Sequence, residues 1–120
     1  MHHDRVIDAA PHYEAGLSEP PRVVMTESAD AAVVCWHVEP GQRIALHTHP
    51  EGQDTWIIMA GQGEYFTDAE GSSRPLYPGV VAVAPRGAVH GALNTGSTPL
   101  RFISVVAPAQ SGFEPLQTPG

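Results

Sequence analysis

The sequence predicts an all-β protein, a sandwich or barrel, and three observations carry that prediction. Short runs rich in Val, Ile, Thr and aromatic residues recur along the chain. Gly and Pro, twelve of each in 120 residues, punctuate those runs rather than massing in one linker. No window of a dozen residues carries the 3.6-residue apolar period of a helix.

The elements follow in order. Arg22–Glu27 and Ala31–Glu39 read as strands, the second ended by Glu39-Pro-Gly. Arg43–His49 is next, and Thr55–Ala60 and Gly63–Thr67 flank the turn Gly61-Gln-Gly. Val80–Ala84 lies between Tyr77-Pro-Gly and Pro85-Arg-Gly. Ala88–Asn94 follows, and Asn94-Thr-Gly leads into Leu100–Ala107. The patterned region 22–109 is expected to form the barrel. Residues 1–21 and 110–120 contain Pro and lack a pattern, and are expected as an N-terminal strap and a C-terminal tail.

Two strands are apolar on both phases. Ile44 and Leu46 alternate with Ala45 and His47, and Trp56 and Ile58 alternate with Ile57 and Met59. Such a strand must be covered on both faces. The barrel interior covers one; a second sheet, the N-terminal segment or another subunit covers the other. A homodimer is therefore expected.

Composition narrows the partners. The formal net charge is −7, from six Arg, no Lys and thirteen acids, which argues against nucleic acid or an anionic membrane surface. Cys35 is the single cysteine, so no internal disulfide is available and a reducing compartment fits. No run approaches the roughly 18 apolar residues of a membrane helix, and the N-terminus lacks a signal-like apolar run. A cytoplasmic protein with a small-molecule ligand is expected. His2 and His3 are given no role in the chemistry.

The chemistry concentrates in Gly41–Gly61. His47 and His49 are two apart, so on a strand they project from one face, with Cα atoms roughly 6.5–7 Å apart. Two such imidazoles can converge on one ion at ~2.0–2.1 Å. Taken alone, the pair fits exposed strand histidines equally well. A third ligand must come from elsewhere, and His90, after the turn Pro85-Arg-Gly87, is the best candidate.

The spacing resembles the two motifs of the cupin superfamily. The first appears as Gly41, five residues, His47-Thr-His49, four residues, Asp54, six residues, Gly61. The second appears without departure as Gly79, five residues, Pro85-Arg-Gly87, two residues, His90, three residues, Asn94. Five fixed types at about 5% usage coincide by chance on the order of once in a million starting points. The resemblance implies a double-stranded β-helix, or jelly-roll barrel. It further implies one divalent transition metal on His47, His49 and His90.

The family usually supplies a Glu as the fourth ligand, where this chain has Asp54 preceded by Gln53. Asp is one methylene shorter. Three shells remain open: Asp54, Gln53 through a bulge, or solvent with Asp54 orienting a histidine. A mainly imidazole site suits Fe, Mn, Ni, Zn, Co or Cu alike. Gly87, Pro85 and Asn94 read as structural.

Other side chains have paired readings. Arg43 shares strand phase with His47 and His49, and is expected either to point into the barrel as an anchor for a substrate carboxylate or phosphate, or to sit at its rim. Trp56, Ile58 and Phe102, with Ser104, are expected along the cavity or in the core. Tyr65 and Phe66 form a pocket lip or pack inside. His37 and Cys35 share a phase, and a hydrogen-bonded histidine beside an inert thiol is preferred over a second site. His12 is expected to be exposed. The resemblance thus points to a metal-dependent enzyme acting on a small oxygenated or aromatic metabolite, of dioxygenase, isomerase, decarboxylase or cyclase type. The alternative is a non-catalytic metal- and small-molecule-binding module or sensor.

Overall fold

The computed structural model describes residues 4–116. His2 and His3 lie outside the described residues. Ten strands are present: Val23–Glu27 (β1), Ala32–Val38 (β2), Arg43–Thr48 (β3), Gln53–Ala60 (β4), Gly63–Phe66 (β5), Ser73–Leu76 (β6), Val81–Ala84 (β7), His90–Leu93 (β8), Leu100–Ala107 (β9) and Glu114–Pro115 (β10). They form two five-stranded antiparallel sheets, ordered β1-β2-β9-β4-β7 and β10-β3-β8-β5-β6. This is a double-stranded β-helix. No helix of the described residues is long and apolar enough to cross a membrane.

Two strands escaped the sequence pattern, and both contain proline. β6 carries Pro75 and β10 ends at Pro115; each lies at a sheet edge, where a missing N–H breaks no ladder. The segment expected as a tail therefore returns to the barrel. β10 pairs with β3, and the Leu116 N–H bonds the Leu46 carbonyl at 3.0 Å.

Strict alternation along β4 and β9 builds the middle of the first sheet's interior. On β4, Asp54, Trp56 and Ile58 are buried; on β9, Leu100, Phe102, Ser104 and Val106 are buried. The core gathers Trp56, Ile58, Phe102, Leu100, Val38, Ile44, Tyr65, Leu76 and Ala92. Trp56 stacks on Phe102 with ring centroids 4.2 Å apart, and meets the Tyr65 ring edge-on at 5.2 Å. Truncation of Phe102 to Ala is expected to cost about 3–5 kcal/mol, measurable by urea unfolding, because the void beneath Trp56 cannot close.

The second sheet departs from simple alternation. The β3–β8 register breaks between Ile44 and His47, so two residues three apart both face inward. Ile44 takes the core position that unbroken phase would assign to Arg43. Arg43 is exposed instead. Its side chain still borders the cavity that His47 and His49 line.

The outer face of β2 is closed by the N-terminal segment. The Cys35 thiol lies 3.9 Å from the Ala9 carbonyl, Gln42 Nε2 donates to the Gly16 carbonyl at 2.9 Å, and the Arg101 guanidinium lies 4.9 Å over the Tyr13 ring. The outer face of β4 and β7 stays open among the described residues. There Ile57, Met59, Val81 and Val83 are 36%, 52%, 55% and 48% exposed.

Candidate metal centre

The two sheets contribute different parts of one polar cluster. His47 on β3 and His90 on β8 are direct cross-strand partners, and their rings lie 4.2 Å apart. His49 follows β3, with its ring 5.0 Å from His47 and 5.4 Å from His90. The turn of the second motif fixes this loop: the Gly87 N–H, at a φ of 76° that glycine adopts without strain, bonds the His49 carbonyl at 3.0 Å. Asp54 approaches from β4 in the opposite sheet. One ligand atom from each of His47, His49, Asp54 and His90 lies within 4.8 Å of all the others.

Backbone carbonyls decide the tautomers. Nδ1 of His47 bonds the Ala45 carbonyl at 2.7 Å, Nδ1 of His49 the Gly112 carbonyl at 2.8 Å, and Nδ1 of His90 the Ala88 carbonyl at 3.2 Å. A carbonyl only accepts, so each Nδ1 carries the proton and each neutral ring presents the Nε2 lone pair. Asp54 Oδ1 accepts from the Ser104 hydroxyl at 2.5 Å, while Oδ2 lies 3.0 Å from His90 Nε2 and 3.3 Å from His49 Nε2. Imidazole lone pairs facing a carboxylate repel unless a proton or a cation lies between them. The donor set thus fits a cation, with nitrogen ligands held by the backbone as metal-binding histidines usually are.

The charges agree. Burial pushes His47 down to about 4, with the His90 charge adding to the effect, so His47 is neutral and ready to bind. The hydrogen bond to Asp54 raises His49 despite burial. Burial opposes ionisation of Asp54, but the Ser104 hydroxyl and, with a proton in the Nε2–Oδ2 contacts of the metal-free protein, hydrogen bonds from His49 and His90 outweigh it and hold the carboxyl far below the ordinary range. Of the two candidates for the fourth position, Asp54 joins the cluster. Gln53 is exposed and donates to Thr55 Oγ1 at 3.1 Å.

Comparison with known proteins settles the family. Residues 34–106 match the family model of the Cupin domain. This chain belongs to the cupin family. An uncharacterized conserved protein with a double-stranded β-helix domain from Klebsiella pneumoniae is 41% identical, with a TM-score of 0.92 over 97% of this chain and 100% of that one. KdgF from Halomonas is 26% identical, with a TM-score of 0.66 over 72% of this chain and 76% of its own. An oxalate-binding protein from Thermotoga maritima is 31% identical over 67 residues, 56% of this chain. That match spans 54%, about half, of the relative's length.

In this cupin the cluster borders a cavity of about 860 Å³, lined by His47, His49, Asp54, Trp56, Ser104 and Arg43 among others. Ile58 and Phe102, expected as possible cavity residues, are completely buried in the core and do not reach its surface. Phe102 instead stacks on Trp56, which is the member of this group that lines the cavity. Tyr65 packs inside against Trp56, not at a lip, and its hydroxyl is held up by burial. His37 donates through Nε2 to Glu39 and accepts from Arg101 Nε at 3.0 Å, and burial raises the Cys35 thiol; neither belongs to the metal cluster. Asn94 is buried, with its amide donating to the carbonyls of Val38 at 2.8 Å and Thr98 at 2.9 Å.

Sequence reading missed the walls contributed by the two terminal segments. Phe113 lies 5.0 Å from the His47 ring and 6.2 Å from His49. Glu19, Pro21 and Arg22 line the same cavity. None sits in a motif. The only available signal was the lone aromatic Phe113 after Gly112 in an otherwise polar stretch.

Proposed function

We propose that this cupin is a divalent-metal-dependent enzyme acting on a small oxygenated or aromatic metabolite. One observation carries the reading: three imidazole lone pairs and one carboxylate, drawn from both sheets, converge beside a cavity of about 860 Å³. His47, His49, His90 and Asp54 would hold the ion. The set contains no thiolate and only one carboxylate, which suits Fe, Mn, Ni, Zn, Co or Cu better than Mg or Ca. When bound, such an ion supplies Lewis acidity to a chelating substrate, and a redox-active one adds electron transfer.

The chain's own residues then shape the reaction space. Ser104 fixes Asp54 by its outer oxygen, so that Oδ2 stays turned toward the histidines. Trp56 and the Phe113 ring offer flat apolar walls for an aromatic or unsaturated substrate and keep water from the ligand side. The resemblance to an oxalate-binding protein favours a second reading, a non-catalytic module that binds metal and a small acid. Untagged protein loaded in turn with Fe(II), Mn(II), Co(II), Ni(II), Cu(II) and Zn(II), then offered oxalate and a metabolite panel, separates the two. Turnover supports the enzyme. Saturable binding without product supports the module, and no metal uptake by any ion defeats both.

The homodimer reading is supported by the open face of β4 and β7. Ile57 lies opposite Val81, and Thr55 opposite Val83, so the exposed apolar side chains form one contiguous patch. A patch of this kind favours a partner surface. Sedimentation is expected to show a dimer that Ile57→Glu with Val83→Glu converts to a folded, metal-binding monomer. A wild-type chain that sediments as a monomer at every concentration would remove this reading.

A further inference from the structure

Positive charge is scarce in this chain: six arginines stand against thirteen acids. Two of the six, Arg22 and Arg43, line the one cavity that His47, His49 and Asp54 also line. They come from opposite sheets, Arg22 just before β1 and Arg43 at the start of β3. Arg101, by contrast, is engaged by His37 and Tyr13. Among the described residues, neither Arg22 nor Arg43 makes an ion pair. Arg22 is near enough to His49 for its charge to disfavour the protonated ring.

The cavity's other charges are Asp54, which faces the histidines, and Glu19, three residues before Arg22. With a divalent ion in place, these two acids leave the cavity two positive charges in excess, inside a protein of net charge −7. The same cavity is lined as well by the apolar side chains of Val34, Trp36, Ile44 and Val106. A neutral or singly charged chelator would satisfy the ion and leave both guanidiniums idle.

We infer that the substrate is an organic dianion, whose one end chelates the ion while a second anionic group, a carboxylate or a phosphate, is held across an apolar spacer by Arg22 and Arg43. Guanidinium presents paired N–H donors that match either group. The inference rests on the metal-dependent reading above and adds the far end of the ligand. Glu19 sets the opposite bias, since it brings a negative charge to the same cavity.

Co(II)-loaded protein tests it through the ion's absorption spectrum. Lactate, malate, 2-hydroxyglutarate and 3-phosphoglycerate all present a 2-hydroxy carboxylate, and all but lactate add a distal anion. At least one of the three is expected to bind tenfold or more tighter than lactate. Replacing both arginines (Arg22→Gln with Arg43→Gln) is expected to bring that acid to within about twofold of lactate in a protein that still takes up one Co(II). Glu19→Gln is expected to tighten the favoured acid two- to fivefold. A carboxylate preferred over 3-phosphoglycerate, or the reverse, names the distal group. Equal affinity across the series, no binding of any member, or an advantage that survives the double exchange would overturn the inference while leaving the metal site standing. Failure to take up Co(II) at all would bring down both.

Discussion

Exchange of His90 for alanine is expected to abolish stoichiometric uptake of a divalent ion. His90 is fully buried, lies directly across from His47, and shares Asp54 Oδ2 with His49. Its loss takes one of three imidazoles and leaves a gap that the backbone-pinned rings of His47 and His49 cannot close. Removing a group that merely supports a metal ligand typically weakens affinity roughly 10–100-fold, so a lost ligand should exceed that range. Asp54→Asn tests the fourth position separately. It keeps the size and a weakly coordinating oxygen but removes the charge, and is expected to weaken uptake roughly tenfold or more, though less than His90→Ala does, while Ser104 still holds the side chain. His37→Ala is the control, because His37 bonds Glu39 and Arg101 on the outer face of β2 and should leave metal affinity unchanged. Calorimetric titration with Zn(II) or Co(II) measures all three. If His90→Ala bound an ion as tightly as the parent chain, the cluster would be a polar core and not a metal centre.

Much of this arrangement was legible because spacing translates into direction. His47 and His49, two apart, declare a shared face, and Pro85-Arg-Gly87 two residues before His90 declares a turn that starts a strand. What spacing could not convey was the pairing itself: that His47 and His90 stand directly opposite depends on the β3–β8 register. The bulge within that register was equally invisible. Phase alone left Arg43 open between barrel and rim, whereas the extra residue turned Ile44 inward and left Arg43 exposed along the cavity. Proline concealed two edge strands, since a residue that cannot donate reads as a breaker even where no donor is needed. The greatest loss was in the termini. Glu19 and Phe113 line the cavity only because long-range hydrogen bonds, such as Gln42 to Gly16 and His49 to Gly112, draw unpatterned segments onto the barrel. Long-range closure of that kind has no periodicity to betray it.

Metal loading is expected to raise the melting temperature by roughly 10 °C near neutral pH and by progressively less in acid. An ion at a hundred times its dissociation constant stabilises by about 2.7 kcal/mol if the unfolded chain does not bind it, and each kcal/mol shifts a domain of this size by roughly 4 °C. Acid works on both states. In the metal-free protein His47 is depressed to about 4 from 6.5, so between those values the unfolded chain takes a proton that the folded one refuses. Stability therefore falls as pH drops through that window, by ~3 kcal/mol for this group. His49, raised by Asp54, has the opposite sign: its contribution is complete below 6.5 and fades as pH rises through its folded value. Asp54, held low, contributes above 3.8 and loses that contribution only in stronger acid. Metal binding must also displace the His49 proton, so affinity drops as pH falls below the raised value and the thermal gain shrinks with it. Scanning calorimetry from pH 4 to 8, with EDTA or with excess Zn(II), reads both curves. The His47→Gln variant should flatten the metal-free curve between 6.5 and 4 and lose the metal-dependent gain. Superimposable curves with and without ion at every pH would mean that three converging lone pairs and a carboxylate are stabilised in this barrel by protons alone.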